Sequence, residues 1–258
     1  MSGRLIFMSM LGGKLMGINL QVVMPYQKCV YNCPFCCARG KKHNYQFDNL
    51  YKNNYEEWQQ KLIARCEKGD IDRVVITGEA DPTQNYRFIE AVCETVPAEI
   101  PIELTTHNYN CEPMLANCHN RIHTVSYSIT NSREYLGAWN WGINNCDYDI
   151  PMHRLVIILT DEFNFLAADN FNKMGFEQIT FKTLQESDDE KVNEWIRQHK
   201  MDEAHLNNIR EIVNKYNGNP YCSIRLDESC QTATGRYEIF RSDGQCYDSW
   251  EAKSPIDK

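Results

Sequence analysis

Apolar residues fall along this chain in two rhythms. Six short runs, at residues 19–25, 72–78, 100–107, 123–130, 153–160 and 177–184, are dense in Val, Ile, Leu and Thr and have the length of buried strands. Between them the spacing becomes helical. In residues 54–70, Trp58, Leu62, Ile63 and Cys66 recur every three or four positions and Gly69 marks the stop. Residues 85–96 and 161–175 repeat that pattern, and two further helical stretches, 188–200 and 203–218, follow the sixth run. Alternating strands and helices predict parallel βαβ units with right-handed crossovers, and six strands suffice for an open sheet or a partial barrel. In such folds ligands gather at the carboxyl ends of the strands, so chemistry-bearing motifs are expected just after them.

After Asn217-Gly218-Asn219-Pro220 the pattern changes. Residues 221–227 and 235–250 read as extended, with Asp243-Gly244 as a hairpin turn. The expectation is a barrel domain over residues 1–215 and a small β-hairpin extension over 216–258 that caps it.

Composition narrows the classes. Of 258 residues, 42% are hydrophobic and 24% charged, which are globular values. No apolar run reaches the roughly 18 residues that would predict a membrane helix. The first residues lack a signal-peptide core, so a cytoplasmic protein with reduced thiols and no membrane association is expected. A net charge of −8 disfavours broad nucleic-acid binding, although residues 38–43 form a local basic patch.

Twelve cysteines are many for a chain of this kind. Cys66, Cys93, Cys118 and Cys146 are scattered and read as small packing residues. The stretch QKCVYNCPFCCARG, residues 27–40, is different: Cys29, Cys33, Cys36 and Cys37 fall within nine positions, directly after the first strand. A metal site, a disulfide and a buried turn compete there. Zinc prefers four ligands in two paired knuckles, a reducing compartment opposes a disulfide, and the polar neighbours Gln27, Lys28, Asn32 and Arg39 weaken the reading as a buried turn. Three thiolates on one loop also suit an iron–sulfur cluster that keeps one iron open.

The spacing C-x3-C-x2-C of Cys29, Cys33 and Cys36, with Phe35 before the third cysteine, resembles the radical S-adenosylmethionine (radical SAM) superfamily. A second stretch, TGEADPT at residues 77–83, resembles that family's Gly-Gly-Glu-Pro motif through Gly78 and Glu79, with Thr77 in place of the first glycine and Pro82 displaced. The plain alternative is a strand-to-helix turn in which Asp81 caps the next element. Thr106 in LTTHN, Ser128 in SYSIT and Arg154 at the start of the fifth strand resemble further SAM contacts, each competing with an ordinary strand role.

The resemblance spans about residues 17–185 and implies a fold class: α/β, a partial (βα)6 TIM-like barrel with a small C-terminal β appendage. It implies a [4Fe-4S] cluster on Cys29, Cys33 and Cys36, with Cys37 a bystander, and S-adenosyl-L-methionine held near Phe35, Gly78, Glu79, Thr106, Ser128 and Arg154. The chemistry implied is reductive cleavage of SAM to a 5′-deoxyadenosyl radical that takes hydrogen from a substrate. An electron donor such as flavodoxin or ferredoxin would be a partner. The substrate would be a small molecule or nucleotide, or alternatively a peptide; a non-catalytic cluster-binding protein is the alternative of another class. Cys222, Cys230 and Cys246 faintly resemble the ligands of an auxiliary iron–sulfur cluster, with Cys111 as a fourth if the tail folds back. His107 and Lys182 are further candidates for substrate contact.

Overall fold

A computed structural model of the protein describes residues 17–25, 27–36, 48–111, 115, 117–145, 150–163, 175–184, 186, 189–216, 218–219, 222–228 and 236–250. All six runs expected as strands are strands: β1 (Ile18–Val23), β2 (Ile71–Thr77), β3 (Ile102–Thr106), β4 (Ile122–Ile129), β5 (Met152–Leu159) and β6 (Gln178–Thr183). They stand side by side in chain order, each parallel to the next.

The helices are α1 (Leu50–Asn53), α2 (Tyr55–Cys66), α3 (Tyr86–Thr95), α4 (Ser132–Asn145), α5 (Glu190–His199) and α6 (Glu203–Lys215). Asn54, Asn85, Asp189 and Asp202 cap α2, α3, α5 and α6 by accepting a bond from a backbone N–H of the first turn. Gly69, at φ +74°, turns the chain after α2 as expected. The sequence pattern missed α4. The expected helix over 161–175 falls mostly on residues outside the described ones.

The tail differs from expectation. β7 (Ser223–Asp227) joins β6 in parallel, and β8 (Arg236–Phe240) joins β1 in parallel at the other edge. Only β9 (Cys246–Tyr247) makes the expected hairpin, antiparallel to β8 around Asp243-Gly244. Among the described residues the result is one nine-stranded, mostly parallel sheet in the order β7-β6-β5-β4-β3-β2-β1-β8-β9, rather than a sheet plus a separate appendage. The cause is unsatisfied edge chemistry. Both β1 and β6 would otherwise expose open rows of N–H and C=O groups, and each tail strand also matches the side chains beside it. Ile224 and Leu226 fall opposite Ile179 and Phe181. Phe240 falls beside Val22 and meets Trp58 of α2 with ring centroids 5.8 Å apart. Buried Arg65 of α2 clamps β8 by pairing with Glu238 and with Asp70, the latter at 2.7 Å.

Alternation gives the sheet two unlike faces. Leu20, Val22, Val74, Ile76, Leu104, Leu155, Ile157 and Phe181 are all fully buried and share one core with Trp58, Leu62, Phe88, Ile89 and Val92 of α2 and α3. Each such side chain stabilises by about 1.5–3 kcal/mol on leaving water. The opposite face is richer in polar residues: Gln21, Glu103, Ser126, Ser128, Arg154, Thr180 and Lys182 lie there, interspersed with Val23, Val75, Val156 and Ile158. Gln21, Glu103 and Ser126 are buried and the other four polar residues half-buried, so this face too is largely removed from water, as is usual for a parallel sheet.

Candidate functional site

The cysteine loop, residues 27–36, leaves β1 at its carboxyl end and crosses the ends of the neighbouring strands. It is docked in order along its length. Gln84, in a short 3-10 turn after β2 (Pro82–Gln84), accepts a bond from Val30 N at 3.1 Å and donates to Lys28 O at 3.0 Å. The ring of Tyr31 lies 4.4 Å from that of His107, which follows β3. Cys33 feels Glu134 of α4. Phe35, expected as a wall beside the cofactor, packs on Trp195 of α5 with centroids 5.6 Å apart. Asn32 adopts φ +50°, a left-handed turn that asparagine tolerates, and Cys36 N donates to Cys33 O at 3.1 Å.

Cys29, Cys33 and Cys36 are half-buried and form no disulfide with one another. Burial, then the neighbouring Cys36 and Cys29, push the Cys33 thiol up to about 11. The three sulfurs are thus within electrostatic reach of one another. Among the described residues no three His, Cys, Asp or Glu side chains close into a metal-holding group, so the loop offers three donors rather than a finished tripod. The donor chemistry fits an iron–sulfur cluster: soft thiols, adjacent, partly desolvated, on one loop. Cys37 lies outside the described residues.

Gly78 directly follows β2 at a position where only glycine fits, because a Cβ there would sit 2.8 Å from Ala80 O and 3.2 Å from Met24 Cβ. The Glu79 side chain is only 6% exposed and pairs with buried Arg241, which follows β8: Arg241 Nη1 lies 3.3 Å from Glu79 Oε1. The Arg241 guanidinium also donates to Trp250 O at 2.9 Å and lies 5.3 Å from the centroid of the Trp250 ring. Trp250 in turn donates to Gln21 Oε1 at 2.8 Å on the polar face of β1. Glu79, expected to meet the SAM ammonium, thus already has a cationic partner from the tail.

Asp81 ties β2 to β3. Its buried carboxylate accepts from Thr83 N (2.9 Å), Thr83 Oγ1 (2.6 Å), Thr106 Oγ1 (2.8 Å) and His107 N (2.6 Å). The Thr106 hydroxyl, expected to contact SAM, therefore donates to Asp81, and it accepts from Asn108 N at 2.9 Å. Ser128 sits half-buried on the polar face, opposite Val156. Arg154 lies near the amino end of β5 and donates to Glu103 and Gln178, with Arg73 Nη1 on the other Glu103 oxygen at 2.9 Å. Five residues short of the strand's carboxyl end, roughly 16 Å, it answers the buried Glu103 charge instead of joining the cysteine loop.

His107 Nε2 and Glu134 Oε1 are 3.1 Å apart, and the other Glu134 oxygen accepts from Thr130 N at 2.7 Å and Thr130 Oγ1 at 2.9 Å. Burial pulls the Glu134 carboxyl up, but His107 and Thr130 outweigh it and hold it at about 2. In the tail, Cys222 precedes β7 beside Glu177, whereas Cys246 is in β9 beside Glu238 and Arg65. The two are not brought together, and Cys230 lies outside the described residues. Cys111 is fully buried close to Tyr31 and Tyr86.

Sequence reasoning missed Arg241, Gln84 and Glu134. Gln84 and Glu134 follow strand ends, where their polarity alone sets nothing apart; Arg241 is 162 residues from its partner.

No family model matches the chain. No curated protein matches it either. Among solved structures it is similar to the crystal structure of Streptococcus suis SuiB, with a TM-score of 0.57 and 14% sequence identity over 93% of this chain and 63% of that one. The chain thus spans under two thirds of SuiB, and at this identity the likeness is one of fold. Among the described residues no helix is long and apolar enough to cross a membrane.

Proposed function

We propose that this protein is a radical SAM enzyme whose [4Fe-4S] cluster is held by Cys29, Cys33 and Cys36. The observation that carries the reading is the cysteine loop itself: three adjacent, half-buried thiols at the carboxyl edge of a parallel sheet, docked by Gln84, His107 and Trp195. A partial barrel is part of the proposal. Its support is the unbroken parallel order β1 to β6 and the contact between the loop after β1 and the helix after β6.

When bound, the cluster and SAM would supply a 5′-deoxyadenosyl radical for hydrogen abstraction. The chain's own residues do the rest. Gln84 fixes the loop backbone at Lys28 and Val30, and the His107 ring backs Tyr31. Asp81 locks the ends of β2 and β3 together beneath the loop. Gly78 keeps the turn after β2 tight enough to present its backbone, and the Arg241–Glu79 pair and Trp250 exclude water from that end of β1. The proposal stops at one cluster, because Cys222 and Cys246 have separate surroundings.

Anaerobically reconstituted protein tests it. The reduced cluster should give an electron paramagnetic resonance signal that changes on adding SAM, and 5′-deoxyadenosine should accumulate. Cys29→Ala, Cys33→Ala and Cys36→Ala should each abolish both. A loaded, reduced protein that never forms 5′-deoxyadenosine leaves only the non-catalytic cluster-binding reading.

A further inference from the structure

The polar face of the sheet carries a charge opposite to that of the whole chain. Net charge is −8, yet this face brings Arg73, Arg154, Lys182 and Arg225 together against only Glu103 and Asp227 among the described residues. Register fixes their order: Thr180 pairs with Arg225, and Lys182 with Asp227, on β6 and β7. Glu103 is already shared by Arg73 and Arg154. Arg225 is exposed, and its N–H donors have no acceptor among the described residues. Desolvation and then Arg154 press its pKa down, with Asp227 and Glu103 only partly opposing.

We infer that this face is the ligand side of the sheet and that Arg225 binds an anionic group, a carboxylate or a phosphate. A guanidinium keeps its proton under nearly any condition, so surplus positive charge is relieved by an anion rather than by deprotonation. Its planar fork matches two oxygens of either group. The Arg73–Glu103–Arg154 chain holds the neighbouring cations still, so the site is organised before any ligand arrives. That the anion belongs to the substrate rests on the radical SAM reading; that the face binds an anion does not.

Isothermal titration with inorganic phosphate and, separately, succinate tests the site. One of the two should bind the wild-type chain and identify the group. Arg225→Gln should weaken that binding about 10-fold or more, the usual loss of a charge-assisted bond. Arg225→Lys should fall between, and Arg197→Gln, which removes an exposed ion pair with Glu190 within α5, should change nothing. The Cys29→Ala/Cys33→Ala/Cys36→Ala variant should keep anion binding. The inference is overturned if neither probe binds, if Arg225→Gln or Arg225→Lys binds as wild type does, or if binding disappears in the folded cysteine variant. SAM cleavage, measured separately, tells which reading has failed: cleavage without anion binding sinks only this one, and anion binding without cleavage sinks only the other.

Discussion

Breaking the ion pair between Glu79 and Arg241 tests whether the tail is part of the site or merely beside it. Arg241 is 0% and Glu79 6% exposed at the side chain, and the closest approach is 3.3 Å. At an effective dielectric of about 20 that separation corresponds to an attraction of about 5 kcal/mol, set against the desolvation of both ions. Removing one partner leaves the other charge buried, so Arg241→Gln and Glu79→Gln should each destabilise by about 3–5 kcal/mol. The double variant should lose clearly less than the two combined, with a coupling of about 2–3 kcal/mol. Urea denaturation followed by far-ultraviolet circular dichroism reads this directly. For a slope of about 2–3 kcal/mol/M, the single variants should shift the midpoint down by about 1–2 M with the slope unchanged. If each single variant loses under about 1 kcal/mol, or the two losses simply add, the pair is solvated and the tail does not complete this end of the sheet.

Two further outcomes follow from the loop's supports. Gln84→Ala removes the bonds to Val30 N and Lys28 O, together about 1–3 kcal/mol; amide exchange at residues 28–31 should quicken at least about 10-fold while global stability changes less. Glu134 is held at about 2 against an ordinary 4.5, so its contribution is present above about 4.5 and lost as pH falls toward 2. Discounted for partial exposure it amounts to about 1–2 kcal/mol, and Glu134→Gln should remove that part of the acid dependence in thermal melts between pH 7 and pH 3.

What could be read from the sequence was local. The first six strands are legible because their apolar residues are contiguous and each needs no knowledge of its partner. The cysteine triad is legible because its spacing lies within eight residues. α4 escaped because Gly137 and Gly142 interrupt it and its polar residues blur the helical period. β7 and β8 were visible as extended but not as members of the main sheet, since five residues do not say which edge will accept them. Thr106 shows the same limit at one atom: a threonine at a strand end looks alike whether its hydroxyl meets a ligand or, as here, Asp81.

The sheet order also bears on the size of any substrate. The cysteine loop lies at the carboxyl edge, held at its first residues by the turn after β2 and at Phe35 by α5. Arg225 pairs with Thr180, three residues short of the end of β6, and so lies roughly 10 Å below that edge. A ligand whose acid group meets Arg225 therefore needs a body on the order of 10 Å long to bring another atom to the loop. The β1 side of the polar face is occupied by Trp250 on Gln21, whereas the β6–β7 side presents the charged pairs. Such a ligand would lie along β6 and β7, with its far end beneath Phe35 and Trp195. Lengthening or shortening an acid-bearing substrate by one or two bonds should then change its reactivity far more than altering the side that faces β1.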